Sequence, residues 1–184
     1  MSGELSFVLE VYDPAKTYFQ QKRFNCGNDV IDRFVASGLK RQVRDGLSKC
    51  FVLLDQNNSD KFIGFYTLTS FAIDAPLLES MSKGRLPNKV PCTRMVMLGV
   101  DRAYQKRNLG LKLLVNAIDR TISASQHIGV LGLYLDADPP AVNFYLAHGF
   151  VALKELQDSE STPMFLPIET VKAALTASSS PKVT

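Results

Sequence analysis

Cysteine is scarce in this chain of 184 residues, and the three present, Cys26, Cys50 and Cys92, form no C-x-x-C pair. An odd count without paired spacing argues against a secreted disulfide framework and against a zinc site. It points to reduced thiols in a cytoplasmic protein. Histidine is scarcer still: His127 and His148 stand apart, so no metal ion is expected. No apolar run approaches the ~18 residues of a membrane span, so no membrane association is expected. The opening residues MSGELSFVLEV place no basic stretch ahead of an apolar core, so they are not expected to be a signal peptide.

What is present is an ordinary globular composition, 46% apolar. The length suits one domain, expected over residues 1–176, with a small polar tail, TASSSPKVT, disordered from about residue 177 to 184. Charge is unevenly spread. Residues 83–120 carry nine Lys or Arg against two Asp, a net +7, while residues 121–184 carry a net −3. A basic middle beside an acidic end suits a polyanionic ligand, although a merely solvated basic face remains an alternative.

Hydrophobic spacing organises the chain. Asn28 can cap a helix whose Val30, Ile31, Phe34, Val35, Leu39 and Val43 recur at helical intervals, and Gly46 can end it. Its other face carries Arg33, Lys40, Arg41 and Arg44. KCFVLLD and KFIGFYTLTSFAID read as two strands joined by QNNSD, an antiparallel hairpin. RMVMLGVD reads as a buried central strand, GLKLLVNAIDRTISAS as a helix, and GVLGLYLDA as a second buried strand. Asp138 and Pro139 then open a short helix that Gly149 closes, with Asp138 as its cap. FVALKEL and TPMFLPIE read as strands, before a last helix in IETVKAAL. The fold class is therefore α/β with a mixed, mostly antiparallel sheet around a parallel strand–helix–strand crossover over residues 95–136.

DRAYQKRNLGLKLL, residues 101–114, carries the first chemical signal. A strand ends, a loop follows, and a helix starts near Leu109. The first turn of a helix offers unpaired N–H groups and the positive end of its dipole, where an anion is stabilised. Lys106 and Arg107 add charge. Asn108 is one of the few non-glycine residues that adopt positive φ readily. On this stretch alone, phosphate binding and simple helix capping remain equal alternatives.

DADPPAVNFYLAHGF supplies a second element, a short helix ending Y-x-x-x-G-F. With QKRNLG at 105–110 and Phe144, Tyr145, Gly149 and Phe150 in the later helix, the chain resembles the GCN5-related N-acetyltransferases, the GNAT family. FNCGNDVIDRF adds Phe24, Cys26, Gly27, Asp32 and Phe34, a pattern similar to the GNAT toxins of toxin–antitoxin pairs, which acetylate the α-amino group of aminoacyl-tRNA. The sequence departs from that pattern at Lys106 and Asn108, where glycines are usual, and at Met97, where an arginine is usual.

The resemblance implies an acetyltransferase that takes acetyl-CoA as co-substrate. It implies CoA contacts at Leu98, Gly99, Val100, Gln105, Lys106, Arg107, Asn108, Leu109, Gly110, Leu111, Asp138 and Phe144. Tyr145 becomes the general acid that protonates the departing thiolate. Lys40 and Arg94 become the preferred aminoacyl-tRNA contacts. A cognate antitoxin and a homodimer are the implied partners. The strand 94–100 holds no Asp, Glu or His to serve as base. A lysine side chain, with a pKa of about 10.4, needs one more than an α-amine at about 7.7–8.0, which leans toward the α-amine. Asp74 or Glu79 could still supply a base from a loop. Acetylation of a small amine or a protein N-terminus, or a non-catalytic scaffold, remain the alternatives.

Overall fold

A computed structural model describes residues 6–82, 84–156 and 159–179. Its elements are β1 (Phe7–Val11), α1 (Asp29–Arg33), α2 (Leu39–Arg44), β2 (Lys49–Asp55), β3 (Lys61–Asp74), β4 (Lys89–Val100), α3 (Leu109–Ser125), β5 (Gly132–Ala137), α4 (Val142–Ala147), β6 (Val151–Ala152), β7 (Thr162–Pro167) and α5 (Ile168–Ser179). The strands form one sheet in the order β1-β2-β3-β4-β5-β7-β6. β4 and β5 run parallel, as expected of the crossover, and the pairs β1/β2, β2/β3, β5/β7 and β6/β7 run antiparallel. The chain divides into two compact units, residues up to 69 with 95–117, and residues 70–94 with those from 118 onward.

In the first unit, β2 and β3 form the expected hairpin, from Lys49 opposite Leu68 to Asp55 opposite Lys61, with a bulge at Leu53/Leu54. Asp55 starts the turn by accepting the Asn57 N–H at 3.1 Å. Phe24, Val35, Leu39, Val52, Phe62 and Phe65 make the core. Phe24 meets Phe62 and Phe65 edge-on, at 5.4 and 5.7 Å between ring centroids. Phe62 and Phe65 are fully buried, so truncating either to Ala costs about 3–5 kcal/mol.

The helix expected over 28–46 is interrupted. Asn28 caps it as expected, accepting from the N–H groups of Val30 and Ile31. A π turn over Phe34–Gly38 then separates α1 from α2. A π turn inserts one residue and shifts the helical phase. Val30, placed inward by the sequence pattern, is 65% exposed, while Val35 and Leu39 are buried. Gly46, at φ 74°, ends the segment as expected.

The second unit has its core in Ile73, Leu78, Val90, Cys92, Tyr134 and Phe165. β5 pairs with β7 along its whole length, from Gly132 opposite Pro167 to Ala137 opposite Thr162. Gly132 is required there, because a Cβ would run into the Leu166 carbonyl and the Phe165 ring. The parallel ladder with β4 covers two positions, Thr93 opposite Leu133 and Arg94 opposite Tyr134.

Four further features differ from the reading of the sequence. The N-terminal strand β1 escaped the sequence pattern, being only five residues long. The strand expected over 150–156 shrinks to Val151–Ala152. β4 begins at Lys89, inside a segment read as a connection. Helix α5 continues to Ser179, three residues past the expected domain boundary, and residues 180–184 lie outside the described ones.

Candidate active site

The loop after β4 belongs to the first unit. Asp101 starts it: its N–H donates to the Ile63 carbonyl at 2.8 Å, anchoring the strand end to β3. Its carboxylate accepts the Ala103 N–H at 3.0 Å and caps a single 3-10 turn over Arg102–Tyr104. Tyr104 is buried, and its hydroxyl donates to Asp55 at 2.7 Å. Lys61 and Arg107 both sit over the Tyr104 ring, 5.1 and 5.3 Å from its centroid.

The segment FNCGN braces this loop. The Arg102 N–H donates to the Asn25 carbonyl at 2.8 Å. Gly27, at φ 92°, leaves room for Arg102, whose Nε lies 2.7 Å from where a Cβ would stand. The Cys26 N–H donates to Asp32 at 2.7 Å. The side-chain amide of Gln105 donates to the carbonyls of Cys26 and Val100, both at 2.9 Å. Expected as a CoA contact, Gln105 has its amide group committed to holding the loop.

Lys106 and Asn108 adopt φ 62° and 58°, the left-handed region that glycine occupies without cost. The two positions where the sequence departs from the glycine pattern thus keep the glycine conformation. Asn108 begins α3, its carbonyl accepting the Lys112 N–H at 3.0 Å. Leu109, Gly110 and Leu111 form the first helical turn, whose N–H groups have no helical carbonyl behind them. A Cβ at Gly110 would meet nothing within 4 Å. Lys106 and Arg107 are exposed beside it. Open space, free N–H groups and two cations fit a pyrophosphate. Upstream, Leu98 is half-buried, while Gly99 and Val100 are buried. The Gly99 site faces Phe24 and Ile31, where a Cβ would lie 3.2 Å from each, so packing requires this glycine. The Met97 N–H donates to the Thr67 hydroxyl at 3.2 Å, a local irregularity of the kind a β-bulge makes.

Tyr145 belongs to the second unit. Asp138 precedes a 3-10 turn, Pro139–Ala141, that leads into α4. Asp138 sits at the cap position, and its carbonyl accepts the Ala141 N–H at 2.8 Å, but the side-chain cap bond expected of it is not made. Gly149, at φ 88°, turns the chain so that the Phe150 N–H closes on the Tyr145 carbonyl at 3.1 Å. This explains the Y-x-x-x-G-F pattern: the glycine permits the turn, and the phenylalanine returns to pack on the tyrosine ring at 5.4 Å. Phe144 packs on Tyr145 from the other neighbouring position at 5.1 Å. Burial, aided by the Asp138 charge, pushes the Tyr145 phenol up to about 12. A phenol is protonated at neutral pH even without this shift, and that is the form a general acid needs.

The two residues expected to bind tRNA differ in circumstance. Lys40 is exposed on α2 and lines a cavity. Arg94 pairs with Asp136 at 2.7 Å and lies over the Phe71 and Tyr134 rings, 5.1 and 5.7 Å from their centroids. Asp136 also accepts from the Tyr134 hydroxyl at 2.7 Å. Asp74, one loop candidate for a base, pairs with Lys89 at 2.6 Å. Sequence reasoning missed Lys61 and Tyr104, which flank the loop. Tyr104 stood inside the quoted stretch, but nothing in the sequence joined it to Lys61.

Residues 80–166 match the acetyltransferase (GNAT) domain model. The chain is 31% identical over 117 residues to a tRNA-acetylating toxin of Mycobacterium tuberculosis (strain ATCC 25618 / H37Rv), covering 62% of this chain and 67% of that protein. A crystal structure of a bacterial toxin superposes with a TM-score of 0.89 at 37% identity, over 94% of this chain and 97% of the other. The crystal structure of AtaTR bound with AcCoA superposes with a TM-score of 0.77 at 25% identity, over 92% of this chain and 98% of the other. The chain belongs to the GNAT acetyltransferase family. No described helix is long and apolar enough to cross a membrane.

Proposed function

We propose that this protein is a toxin that transfers the acetyl group of acetyl-CoA to the α-amino group of an aminoacyl-tRNA, blocking translation. The observation that carries the substrate is the 31% identity with a tRNA-acetylating toxin. The loop from Leu98 to Leu111 binds CoA, with Lys106 and Arg107 on its phosphates. Asp138 and Phe144 set the environment of Tyr145. The amine attacks the acetyl carbonyl, the carbon–sulfur bond breaks, and the Tyr145 hydroxyl protonates the leaving thiolate. An α-amine is already partly neutral at physiological pH and can attack without a dedicated base; the proton its nitrogen then sheds passes through water and restores the Tyr145 phenol. Lys40 contacts the tRNA. Such a protein works in the cytoplasm, where charged tRNA and acetyl-CoA are found. It pairs with an antitoxin and forms a homodimer.

Mass spectrometry of charged tRNA after incubation with the protein and acetyl-CoA tests the reading. The expected product is an N-acetylaminoacyl-tRNA. In cells, expression is expected to arrest growth and Tyr145→Phe to relieve the arrest. Charged tRNA without added acetyl mass would overturn the proposal.

A further inference from the structure

Two cations share one aromatic ring beside the 105–110 loop. Lys61, the first residue of β3, places its ammonium 5.1 Å from the centroid of the Tyr104 ring. Arg107, inside the loop, places its guanidinium 5.3 Å from the same centroid. Neither makes an ion pair among the described residues. Arg107 is exposed and Lys61 is half-buried. All three residues belong to the first unit.

The ring that holds them is fixed from behind. Tyr104 is 8% exposed, and Phe7 meets it edge-on at 6.4 Å between centroids. Its hydroxyl donates to one Asp55 oxygen at 2.7 Å and accepts from the Asn58 amide at 3.3 Å. The other Asp55 oxygen accepts the Asn57 N–H at 3.1 Å. Asp101 is engaged in the same way, with one oxygen on the Ala103 N–H at 3.0 Å and the other on the Asn25 N–H at 3.4 Å. These carboxylates are thus occupied by neutral donors rather than by the two cations. Cation–π attraction holds an ammonium or guanidinium against a ring but leaves its charge intact. Two like charges gathered at one ring repel, and a doubly charged anion relieves that repulsion.

Acetyl-CoA carries two kinds of phosphate. Its pyrophosphate spreads its charge along a bridge and suits the N–H groups of the first turn of α3. Its 3′-phosphate is a monoester, with three terminal oxygens and roughly two charges at neutral pH. A compact group of that charge is matched by two converging cations, one of them a guanidinium that can grip two oxygens. We propose that Lys61 and Arg107, held on the Tyr104 ring, bind the 3′-phosphate of CoA and make the protein discriminate CoA from its dephospho form. This assignment rests on residues 98–111 being the CoA loop, and it adds Lys61, from a different strand, to that site.

Calorimetric titration of the full chain with CoA and with 3′-dephospho-CoA tests the proposal, since the two ligands differ by that one group. Each cation is expected to contribute about threefold, so the wild type is expected to bind CoA about tenfold more tightly. That preference should shrink as salt rises. Lys61→Ala is expected to cut the preference to about threefold and to leave dephospho-CoA affinity unchanged, while Lys61→Arg is expected to keep the preference. Arg107→Ala is an independent variant in the loop and is expected to cut the preference by a similar factor. Both side chains reach solvent, so the variants are expected to fold. Equal affinity of the wild type for the two ligands would overturn this inference alone. So would an equal loss for both ligands on Lys61→Ala, which would put Lys61 on the pyrophosphate. A wild type that binds neither ligand would overturn the reading of the loop beneath it.

Discussion

Gln105 donates its side-chain amide to the carbonyl oxygen of Cys26 at 2.9 Å, across 79 residues of sequence. The same amide nitrogen donates to Val100 at 2.9 Å. The 105–110 loop and the F-x-C-G segment are thereby braced together. Each was visible separately in the sequence, and the hydrogen bond joins them in space.

Removing that brace should loosen the loop. Gln105→Ala forfeits two hydrogen bonds worth about 1 kcal/mol each. Acetyl-CoA affinity is expected to fall about tenfold, equivalent to about 1.4 kcal/mol, with a drop of several degrees in Tm. Calorimetric titration and a thermal melt measure both. Unchanged affinity would show that the loop holds its shape without Gln105.

Left-handed backbone at Lys106 predicts opposite changes in stability and binding. An L-residue pays roughly 1–2 kcal/mol for this conformation, partly offset by the greater unfolded-state entropy of glycine. Lys106→Gly is expected to raise Tm slightly and to weaken acetyl-CoA binding through the lost charge. The weakening should shrink as salt rises, because screening removes the charge advantage. Asn108→Gly changes no charge and is expected to preserve or improve binding. A large loss of affinity on Asn108→Gly would assign the asparagine side chain a contact of its own.

Tyr145→Phe keeps the ring packed on Phe144 and Phe150 and removes only the hydroxyl. Turnover is expected to fall about 10²- to 10⁴-fold, the usual worth of general acid catalysis. Acetyl-CoA affinity is expected to hold. Retained turnover in a stopped assay would dismiss the tyrosine as the acid.

The same residue makes a pH prediction. The folded phenol is raised to about 12 by burial and the Asp138 charge, from 10.0. A raised folded pKa favours the folded state while the group is protonated. The contribution is whole below pH 10, declines as pH rises from there, and is lost above about 12. Tyr18, also raised to about 12 by burial, acts in the same direction. Denaturant midpoints measured from pH 8 to 12 should fall above pH 10, and Tyr145→Phe should flatten that fall. A midpoint constant through pH 12 in the wild type would contradict the shift.

Arg94 and Asp136 lie 2.7 Å apart, each about a third exposed. Solvent screens such a pair, so a double-mutant cycle of Arg94→Ala and Asp136→Ala is expected to give a coupling of about 0.5–1 kcal/mol. The effect on stability should exceed the effect on tRNA binding, because the guanidinium is already engaged. A variant that melts normally but loses tRNA binding would return Arg94 to the role the sequence assigned it.

Local spacing was enough for several features. The hairpin of β2 and β3, the crossover from β4 to β5, the Asn28 cap and the Gly46 and Gly149 stops depend on neighbours in sequence. Left-handed backbone at Asn108 was legible for the same reason, since it follows from the residue's own side chain. The π turn over Phe34–Gly38 was not, because an inserted residue leaves the apolar pattern nearly unchanged while rotating everything after it. Arg94 read as a free cation, since its partner Asp136 lies 42 residues away.

Sequence alone therefore determined the β2–β3 hairpin, the parallel crossover from β4 to β5 and the caps and stops at Asn28, Gly46 and Gly149. Tertiary structure decided which side chains are free to act. Burial raises the Tyr145 phenol further, the Cys26 carbonyl claims Gln105, and Asp136 claims Arg94. Tyr104 gathers Lys61 and Arg107 on one ring. Backbone preferences act within a few residues and can be read in order along the chain. Burial, ion pairing and cavities depend on contacts between distant residues, which exist only once the chain has folded.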